Sequence, residues 1–214
     1  YNCFIRINGV EDRLTYTNEL YQMQLALKNA KRKVVIVNQE IGRPTPDEIA
    51  GIRRNQYGRQ DQMIMDLSAN IQYASNLELQ RIMVKSFVDV LLAEAKAEGS
   101  SLNKLTNKAV YLLCWLKRYM PMLFSNWAPP EVACFIYLGG CKNENESMFL
   151  RFLARLPVDV LILCPNLNQK CMLTDDLLYD VNYTESFVLD KFPGESSQVT
   201  MATAAYHAER ELDT

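Results

Sequence analysis

The sequence predicts an α/β protein with a mainly parallel sheet, helices on both faces of that sheet (three layers) and an inserted all-helical block. Two observations predict this fold class. Continuous apolar runs, which suit strands buried on both faces, alternate with amphipathic helical patterns near both ends of the chain. Residues 61–126 between them show helical spacing of apolar residues and no strand pattern.

Residues 1–60 carry the first βα units. Cys3–Val10 alternates in polarity and breaks at Gly9, which predicts a short strand and a turn. Residues 17–30 have the apolar spacing of an amphipathic helix. The β-branched run over residues 33–38 then suits a strand buried in a parallel sheet.

A strong helix start follows this second strand. Thr45 is a natural N-cap, Pro46 fits the first helical position, and Glu48 completes a capping box with Thr45. A strand, a loop and a capped helix form the first half of a βαβ unit.

Two long helices are predicted within the helical block, residues 61–126. Apolar residues over 79–92 cover most of one helix, so this helix should be largely buried. Gly99 breaks the pattern, and Ser101 is the natural N-cap of the next helix, over residues 102–123.

The βα pattern returns in residues 127–214, the second part of the α/β domain. Val132–Leu138 and Val158–Cys164 are predicted strands. They are joined by the turn Gly139–Gly140 and by a helix whose start, Asn143 to Glu146, is a second capping-box pattern.

Weaker patterns complete the chain. They predict a short strand over Ser186–Leu189 and a last helix from Gln198. The sequence opens at Tyr1 and stops at Thr214 within a charged helical pattern, so we expect an internal part of a longer protein.

Composition and charge exclude several classes of protein. The 214 residues are 49% hydrophobic and 22% charged, which excludes a disordered chain, and the longest apolar run, Ala109–Leu116, is too short to cross a membrane. Residues 1–60 carry ten Lys and Arg against six Asp and Glu, whereas residues 131–214 carry six against thirteen. A pI of about 5.6 argues against nucleic acid as a partner.

The cysteines indicate the compartment. None of the six forms a C-x-x-C pair: Cys3, Cys114, Cys134, Cys141, Cys164 and Cys171. Reduced thiols of a cytoplasmic protein are therefore expected, rather than disulfides or zinc ligands, and no cofactor or metal is predicted.

Polar loops after the predicted strands mark a candidate ligand site, because ligands of open parallel sheets bind outside the carboxyl ends of the strands. Four loops rich in Gly, Asn, Glu and Ser qualify: residues 38–43, 139–145, 165–168 and 193–197. Their candidate ligand-binding residues are Asn38, Glu40, Arg43, Gly139, Gly140, Lys142, Asn166, Gly194, Glu195, Ser196 and Ser197.

The side chains of these loops suit a nucleotide or a nucleotide-sugar. Arg43 could neutralise a phosphate, and Glu195 could accept two ribose or sugar hydroxyls. Ser196 and Ser197 could bind phosphate through their hydroxyls and N–H groups at a helix N-terminus.

Each loop also has a purely structural interpretation. Gly139–Gly140 fits a tight turn, and Asn143 with Glu146 fits a helix cap. Ser196 or Ser197 could cap the last helix.

Catalytic patterns are few, and the catalytic residues stay unknown. The chain has no G-x-G-x-x-G, no Walker A loop and no G-x-S-x-G. His207 is the only histidine, which argues against Ser-His-Asp and zinc-hydrolase chemistry. Asp175, Asp176 and Asp180 could hold Mg²⁺, although Thr174 followed by two aspartates also fits a helix start.

Three stretches resemble the bacterial YceG-like family: KVVIVNQEIGRPTPDEI, YLGGCKNENESMFLRFLARLPVDVLILCPN and FPGESSQVTMATAAYHAERELDT. The resemblance covers most of the chain. That family is described as a component of a biosynthetic module encoded beside tellurium-resistance (Ter) stress genes, in company with ATP-grasp ligases and phosphoribosyltransferases. The resemblance implies a cytoplasmic bacterial protein, and no reaction or catalytic residue comes with it.

The element order also resembles the nucleotide-binding half of two-domain (GT-B type) glycosyltransferases. There, a strand ending in Gly leads to a helix and a second strand, and a later Glu-containing loop contacts the nucleotide-sugar, as Glu195 would here. The sequence has no clear Arg/Lys-x4-Lys arrangement of that family. This likeness implies a Rossmann-like fold and a glycosyltransferase-like activity.

Two functions stay open. In the first, Arg43, Gly139, Asn166 and Glu195 converge on one ligand-binding crevice, with the helical block as its lid or wall.

In the second, the helical block and the acidic C-terminal segment dock protein partners of a stress complex. This function predicts an exposed apolar stripe along residues 79–97 or 102–123.

Overall fold

The computed structural model describes residues 2–99 and 101–194. In this part of the chain, five strands form one sheet in the order β2-β3-β4-β1-β5, and every neighbouring pair is parallel. The strands are β1 (Phe4–Asn8), β2 (Val34–Asn38), β3 (Ala133–Leu138), β4 (Val158–Cys164) and β5 (Tyr179–Asn182). The helices are α1 (Tyr16–Asn29), α2 (Pro46–Ala50), α3 (Gln60–Ser68), α4 (Leu77–Glu98), α5 (Leu102–Phe124) and α6 (Glu144–Leu153).

Helices pack on both faces of the sheet. Ile136 and Leu138 of β3 face α1 and contact the cluster that contains Leu20. The alternate residues Phe135 and Tyr137 point the other way, because side chains alternate along a strand, and join the main core with α3 to α6. The sheet therefore has a thin cover on one face and a thick helical layer on the other.

The main core is dense in aromatic rings. Phe135 of β3 and Phe149 of α6 meet edge to face at 5.6 Å, and Tyr119 and Trp115 of α5 contact the same ring of Phe149 at 5.5 and 5.9 Å. Such contacts stabilise beyond the burial of apolar area, by about 0.5–1.5 kcal/mol a pair. The long helix α5 is thus held against the strands that precede the candidate site.

The predicted helix ends are largely confirmed. Thr45 and Glu48 form the reciprocal capping box, with Pro46 at the first helical position. Gly99 ends α4 in the left-handed region (φ 54°), and the Ser101 hydroxyl caps α5 by accepting the N–H of Lys104. Because these caps are local, the sequence alone suffices to place them.

Two predicted elements near the end of the described chain are wrong. Ser186–Leu189 is not a strand, although Phe187 and Leu189 pack against the α1 side of the sheet. The fifth strand is instead Tyr179–Asn182, which lies at the edge and is mostly exposed. Residues 174–176 do not begin a helix, and the helix predicted from Gln198 lies outside the described residues.

The chain itself fills the crevice between the carboxyl ends of β1 and β4. The segments that follow these two strands lie on opposite faces of the sheet. Helix α1 follows β1 on one face, and the segment after β4 buries Leu173 on the other face. Gly9, at φ 71°, lies so close to the next segment that a Cβ would stand 2.7 Å from the carbonyl oxygen of Glu185. Val10 also donates to that oxygen at 2.9 Å. A small cavity of about 190 Å³ remains beside these strand ends, between Gly9, Leu163 and α1, and a larger one lies elsewhere along this edge of the sheet.

None of the helices in residues 2–99 and 101–194 combines the length and apolar character that a membrane span requires.

Candidate functional site

An open cleft of about 430 Å³ lies at the carboxyl ends of β2 and β3, and we name it the β2–β3 cleft. Its lining residues come from the loops after these strands, the start of α6 and the segment after β4: Gln39, Glu40, Ile41, Arg43, Gly140, Lys142, Asn143, Glu146 and Gln169. The structure thus brings together four of the predicted ligand residues, Glu40, Arg43, Gly140 and Lys142.

The strand pairing explains why these loops meet. β2 and β3 are parallel neighbours that end together at Asn38 and Leu138. Gln39 then turns back with φ 68°, and the Tyr137 hydroxyl donates to its carbonyl oxygen at 2.7 Å. Gly139 follows at φ 138°, where a Cβ would stand 3.0 Å from the Cα of Gln39. The Gly turn is therefore required by the close approach of the two loops.

Glu146 forms the buried wall of the cleft. It is 4% exposed, and its carboxylate accepts the main-chain N–H of Ile41 at 3.2 Å. Burial raises the pKa of Glu146, although the nearby Tyr137 hydroxyl and the hydrogen bond from the Ile41 N–H act in the opposite direction. The second predicted capping box is therefore wrong: Asn143 does cap α6, accepting the N–H of Asn145 at 2.7 Å, but Glu146 turns inward.

Two cations point to an anionic ligand. Arg43 and Lys142 are both exposed, and neither is ion-paired with a residue in the described part of the chain. Glu40 and Glu146 line the same cleft, so it offers carboxylate acceptors as well as cations. Such a mixture suits a ligand that carries both phosphate and hydroxyl groups.

Helix α5 holds the loop that carries Arg43, residues 38–45. The indole N–H of Trp115 donates to the carbonyl oxygen of Gly42 at 3.0 Å, and Arg118 donates to the same oxygen at 2.6 Å. Arg118 also pairs with Glu48 at 2.9 Å. Sequence reasoning missed both α5 residues, because nothing in the local pattern shows which loop a helix side chain will meet.

The remaining predicted residues lie beside the cleft or apart from it. Asn38 accepts the N–H of Phe192 at 2.8 Å, and Gly194, two residues later, is exposed. Gly139 lies under the cleft, next to Gly140. Asn166 lies at the same edge of the sheet but does not line the cleft; its side chain accepts the N–H of Asn168.

Four residues singled out from the sequence lie outside the described residues: Glu195, Ser196, Ser197 and His207. Their predicted roles stay predictions.

Two of the three aspartates considered for Mg²⁺, Asp175 and Asp180, pair with arginines instead. Asp175 pairs with Arg155 at 3.0 Å and with Arg151 at 3.6 Å. Asp180 forms a two-pronged pair with Arg6, which lowers the pKa of that carboxyl. In the ranges 2–99 and 101–194, no three His, Cys, Asp or Glu side chains are placed to hold a metal ion.

A larger depression, about 930 Å³, lies between residues 54–57 and the start of α5. Its lining is mostly exposed and polar, for example Arg54, Asn103 and Asn107, and none of its residues follows a strand. We therefore place the candidate site in the β2–β3 cleft, where buried and exposed charges and a glycine turn converge.

Comparisons with known proteins give one match. No curated protein and no solved structure matches the chain. The family model described as the YceG domain matches residues 1–214, the whole of the chain. The chain therefore belongs to the YceG domain family.

Proposed function

We propose that the β2–β3 cleft binds a nucleotide or nucleotide-sugar, and that the chain is a Rossmann-like domain with an inserted helical block. Its place would be a biosynthetic module linked to tellurium resistance and stress in the bacterial cytoplasm, with a glycosyltransferase-like transfer as the implied step. Membership of the YceG domain family and the resemblances drawn from the sequence support this context.

The observation that carries the proposal is the convergence of Arg43 and Lys142. They come from loops separated by about a hundred residues, yet they line one cleft without an ion pair among the described residues. Two such cations repel each other, so their convergence is favourable when an anion lies between them. The oxygens of a phosphate accept hydrogen bonds both from a guanidinium group and from an ammonium group.

The carboxylates that line the cleft support the proposal that the ligand contains a sugar. Glu40 is exposed and Glu146 is buried, and both line the cleft beside the amides of Gln39 and Gln169. Carboxylate and amide oxygens accept hydrogen bonds from ribose or hexose hydroxyls.

We prefer ligand binding to the docking alternative because the long helices offer little apolar surface. Along residues 79–97 and 102–123, the exposed large apolar side chains are Leu92 and Met122, which lie on different helices. Leu77 at the start of α4 is exposed too, but it lies fifteen residues before Leu92, so the three form no continuous stripe. Their other apolar residues mostly join the main core.

The test measures binding of ADP and UDP-glucose by calorimetry and by thermal unfolding. A ligand at 100 times its Kd adds about 2.7 kcal/mol and should raise the Tm by roughly 5–10 °C. Arg43→Gln and Lys142→Gln should each weaken binding about tenfold, since each loses a charged hydrogen bond of about 1.5 kcal/mol.

Arg81→Gln is the matched control, because Arg81 is an exposed cation on α4 outside the cleft. It should bind as the wild type does. Absence of binding at millimolar ligand, or equal weakening in all three variants, rejects the proposal.

A further inference from the structure

The strand β5 (Tyr179–Asn182) is an exposed edge of the sheet. It pairs with β1 on one side, and the described part of the chain supplies no strand on its other side. Tyr179 is 67% exposed, and Leu177, just before the strand, is exposed too. Residues 177–184 contain neither Lys nor Pro, the residues with which sheet edges commonly resist further pairing. This edge is therefore open to an added strand.

Alternate residues of β5 turn their main-chain groups outward. The N–H of Tyr183 donates to the carbonyl oxygen of Asn8 in β1 at 2.8 Å. Because main-chain groups alternate in direction along a strand, those of Val181 also face β1. The N–H and C=O groups of Asp180 and Asn182 therefore point away from the sheet. Two residues at this spacing supply the hydrogen-bonded positions that an added antiparallel strand requires.

The side chains of these two residues are held in place by β1. Arg6 donates to both carboxylate oxygens of Asp180, at 2.6 and 2.9 Å, and so neutralises the charge of this edge strand. Asn8 donates to the Oδ1 atoms of Asp180 and Asn182, each at 3.0 Å. Since the Oδ1 of Asn182 is the acceptor in this contact, its amide NH₂ is oriented to donate to a group across the edge.

We propose that this edge binds the β5 strand of a second copy of the chain, antiparallel and about a two-fold axis through Val181. In this register, each Asp180 lies opposite Asn182 of the second copy, and two hydrogen-bonded pairs of main chains form across the axis. The amide of Asn182 then donates to the carboxylate of Asp180 in the second copy. The sheets of the two copies become one continuous sheet.

The self-complementarity of β5 identifies a second copy as the occupant and fixes the register. An axis through Asp180 would place two carboxylates directly opposite each other, which is unfavourable. An axis through Asn182 would leave Asp180 opposite a residue beyond the end of the strand. Only the axis through Val181 pairs the carboxylate with the amide. It also places Tyr179 opposite Tyr183 on the other face of the sheet, and cross-strand aromatic pairs are stabilising.

The proposed pairing goes beyond the ligand site and does not depend on it. β5 and β2 are the two ends of the strand order, and β5 contributes no residue to the β2–β3 cleft. Each copy would therefore keep its cleft, and ADP or UDP-glucose should leave the oligomeric state unchanged. Closed two-fold pairing of this kind is the commonest symmetry of soluble oligomers.

The first experiment is sedimentation equilibrium of the full chain at submillimolar concentration. The wild type should have twice the 24.6 kDa mass of one chain. Val181→Lys should have the mass of one chain, because its two lysines would lie opposite each other on the axis. Asn182→Lys is the matched control: it adds the same charge to the same edge, but each lysine would lie opposite Asp180 of the second copy, so the dimer should persist.

Two outcomes of this experiment overturn the proposal. A wild type with the mass of one chain shows that β5 pairs with no second copy, whether the edge stays free or another part of the chain covers it. Equal loss of the dimer in Val181→Lys and Asn182→Lys shows that the axis does not pass through Val181.

Since a lysine at half-buried Val181 can also weaken folding, a disulfide tests the register without added charge. Val181→Cys places two thiols on the axis at a Cα spacing of about 4.5 Å, within reach of a disulfide. Tyr179→Cys is the control, because this residue is more exposed but its two copies would stand about 14 Å apart along the strands. With exposed Cys3 replaced by Ser, mild oxidation should give a covalent dimer for the first variant alone. Equal cross-linking of both variants, or none for Val181→Cys, overturns the proposal.

Discussion

The carboxylate of Glu146 accepts the main-chain N–H of Ile41 at 3.2 Å, across 105 residues of sequence. This bond joins the first turn of α6 to the loop that follows β2. Trp115 and Arg118 hold the same loop from the side of α5. The position of Arg43 is thus set by two helices that contribute no cation to the cleft.

Glu146→Ala should lower the free energy of unfolding by about 1–3 kcal/mol, because it leaves the buried N–H of Ile41 without an acceptor. Glu146→Gln keeps an acceptor oxygen and should cost much less. Urea unfolding at neutral pH measures both. Glu40→Ala is the control, because Glu40 is exposed in the same cleft and should change stability by less than about 0.5 kcal/mol. Equal effects of Ala and Gln at position 146 would contradict the role of this bond.

Stability should depend on pH through the same carboxyl. The pKa of Glu146 is raised in the folded protein above its ordinary 4.5, so between these two values the folded state binds more protons than the unfolded state. The free energy of unfolding therefore falls as pH rises from 4.5 through the raised pKa. Urea unfolding from about pH 4 to pH 8 measures the free energy of unfolding of the wild type and of Glu146→Gln. As the pH rises, the wild type should lose stability relative to the variant. A difference that stays constant over this range would refute the expectation.

Gly139→Ala should destabilise the protein by about 1–3 kcal/mol. A side chain at φ 138° is strained, and its Cβ would stand 3.0 Å from the Cα of Gln39. Gly58→Ala is the matched control, since nothing lies within 4 Å of that Cβ position and its φ is not positive; it should be neutral or stabilising by up to about 1 kcal/mol. Thermal unfolding compares the two variants, and similar Tm values would count against the tight turn.

Glu94→Gln should cost about 3 kcal/mol of stability. Its carboxylate is 9% exposed and pairs with buried Lys108 at 2.7 Å and with Arg151 at 3.4 Å. The variant therefore leaves two largely buried cations with a weaker partner, although Lys108 keeps its pair with Glu144 at 3.0 Å. Asp89→Asn removes the exposed pair with Lys85 on the same helix and should cost less than about 0.5 kcal/mol. Chemical unfolding of the two variants gives the comparison. A cost below about 1 kcal/mol at Glu94 would mean that the buried pair contributes little.

Sequence patterns were sufficient to predict four of the five described strands of the sheet. The four strands predicted before residue 165 are confirmed as β1 to β4. Three of them, β2 to β4, come from continuous apolar runs, which suit strands covered on both faces, whereas β1 was recognised by its alternation. The fifth strand, Tyr179–Asn182, was missed because it is an exposed edge strand without such a run. Ser186–Leu189 has the apolar residues of a strand, but they fill a gap beside α1 instead of pairing in the sheet.

The candidate site was predictable in outline. The rule that ligands lie at the carboxyl ends of parallel strands selected the loops that carry Arg43 and Lys142, and these loops do meet. Glu146 was assigned to a cap, although a signal was present: it lies three and four residues before Phe149 and Leu150, on the apolar face of α6. The roles of Trp115 and Arg118 depend on how α5 crosses the loop, which no local pattern encodes.

The all-parallel pairing has a consequence for the order in which the chain can fold. Phe4 pairs with Val160, so β1 has no neighbour in the sheet until β4 has left the ribosome. Contacts between such distant segments form late, and an unpaired strand can meanwhile pair with another chain. Arg6 and Asn8 place polar side chains at alternate positions of β1. While β1 is unpaired during synthesis, these two side chains interrupt its apolar surface, which makes pairing with another chain less favourable.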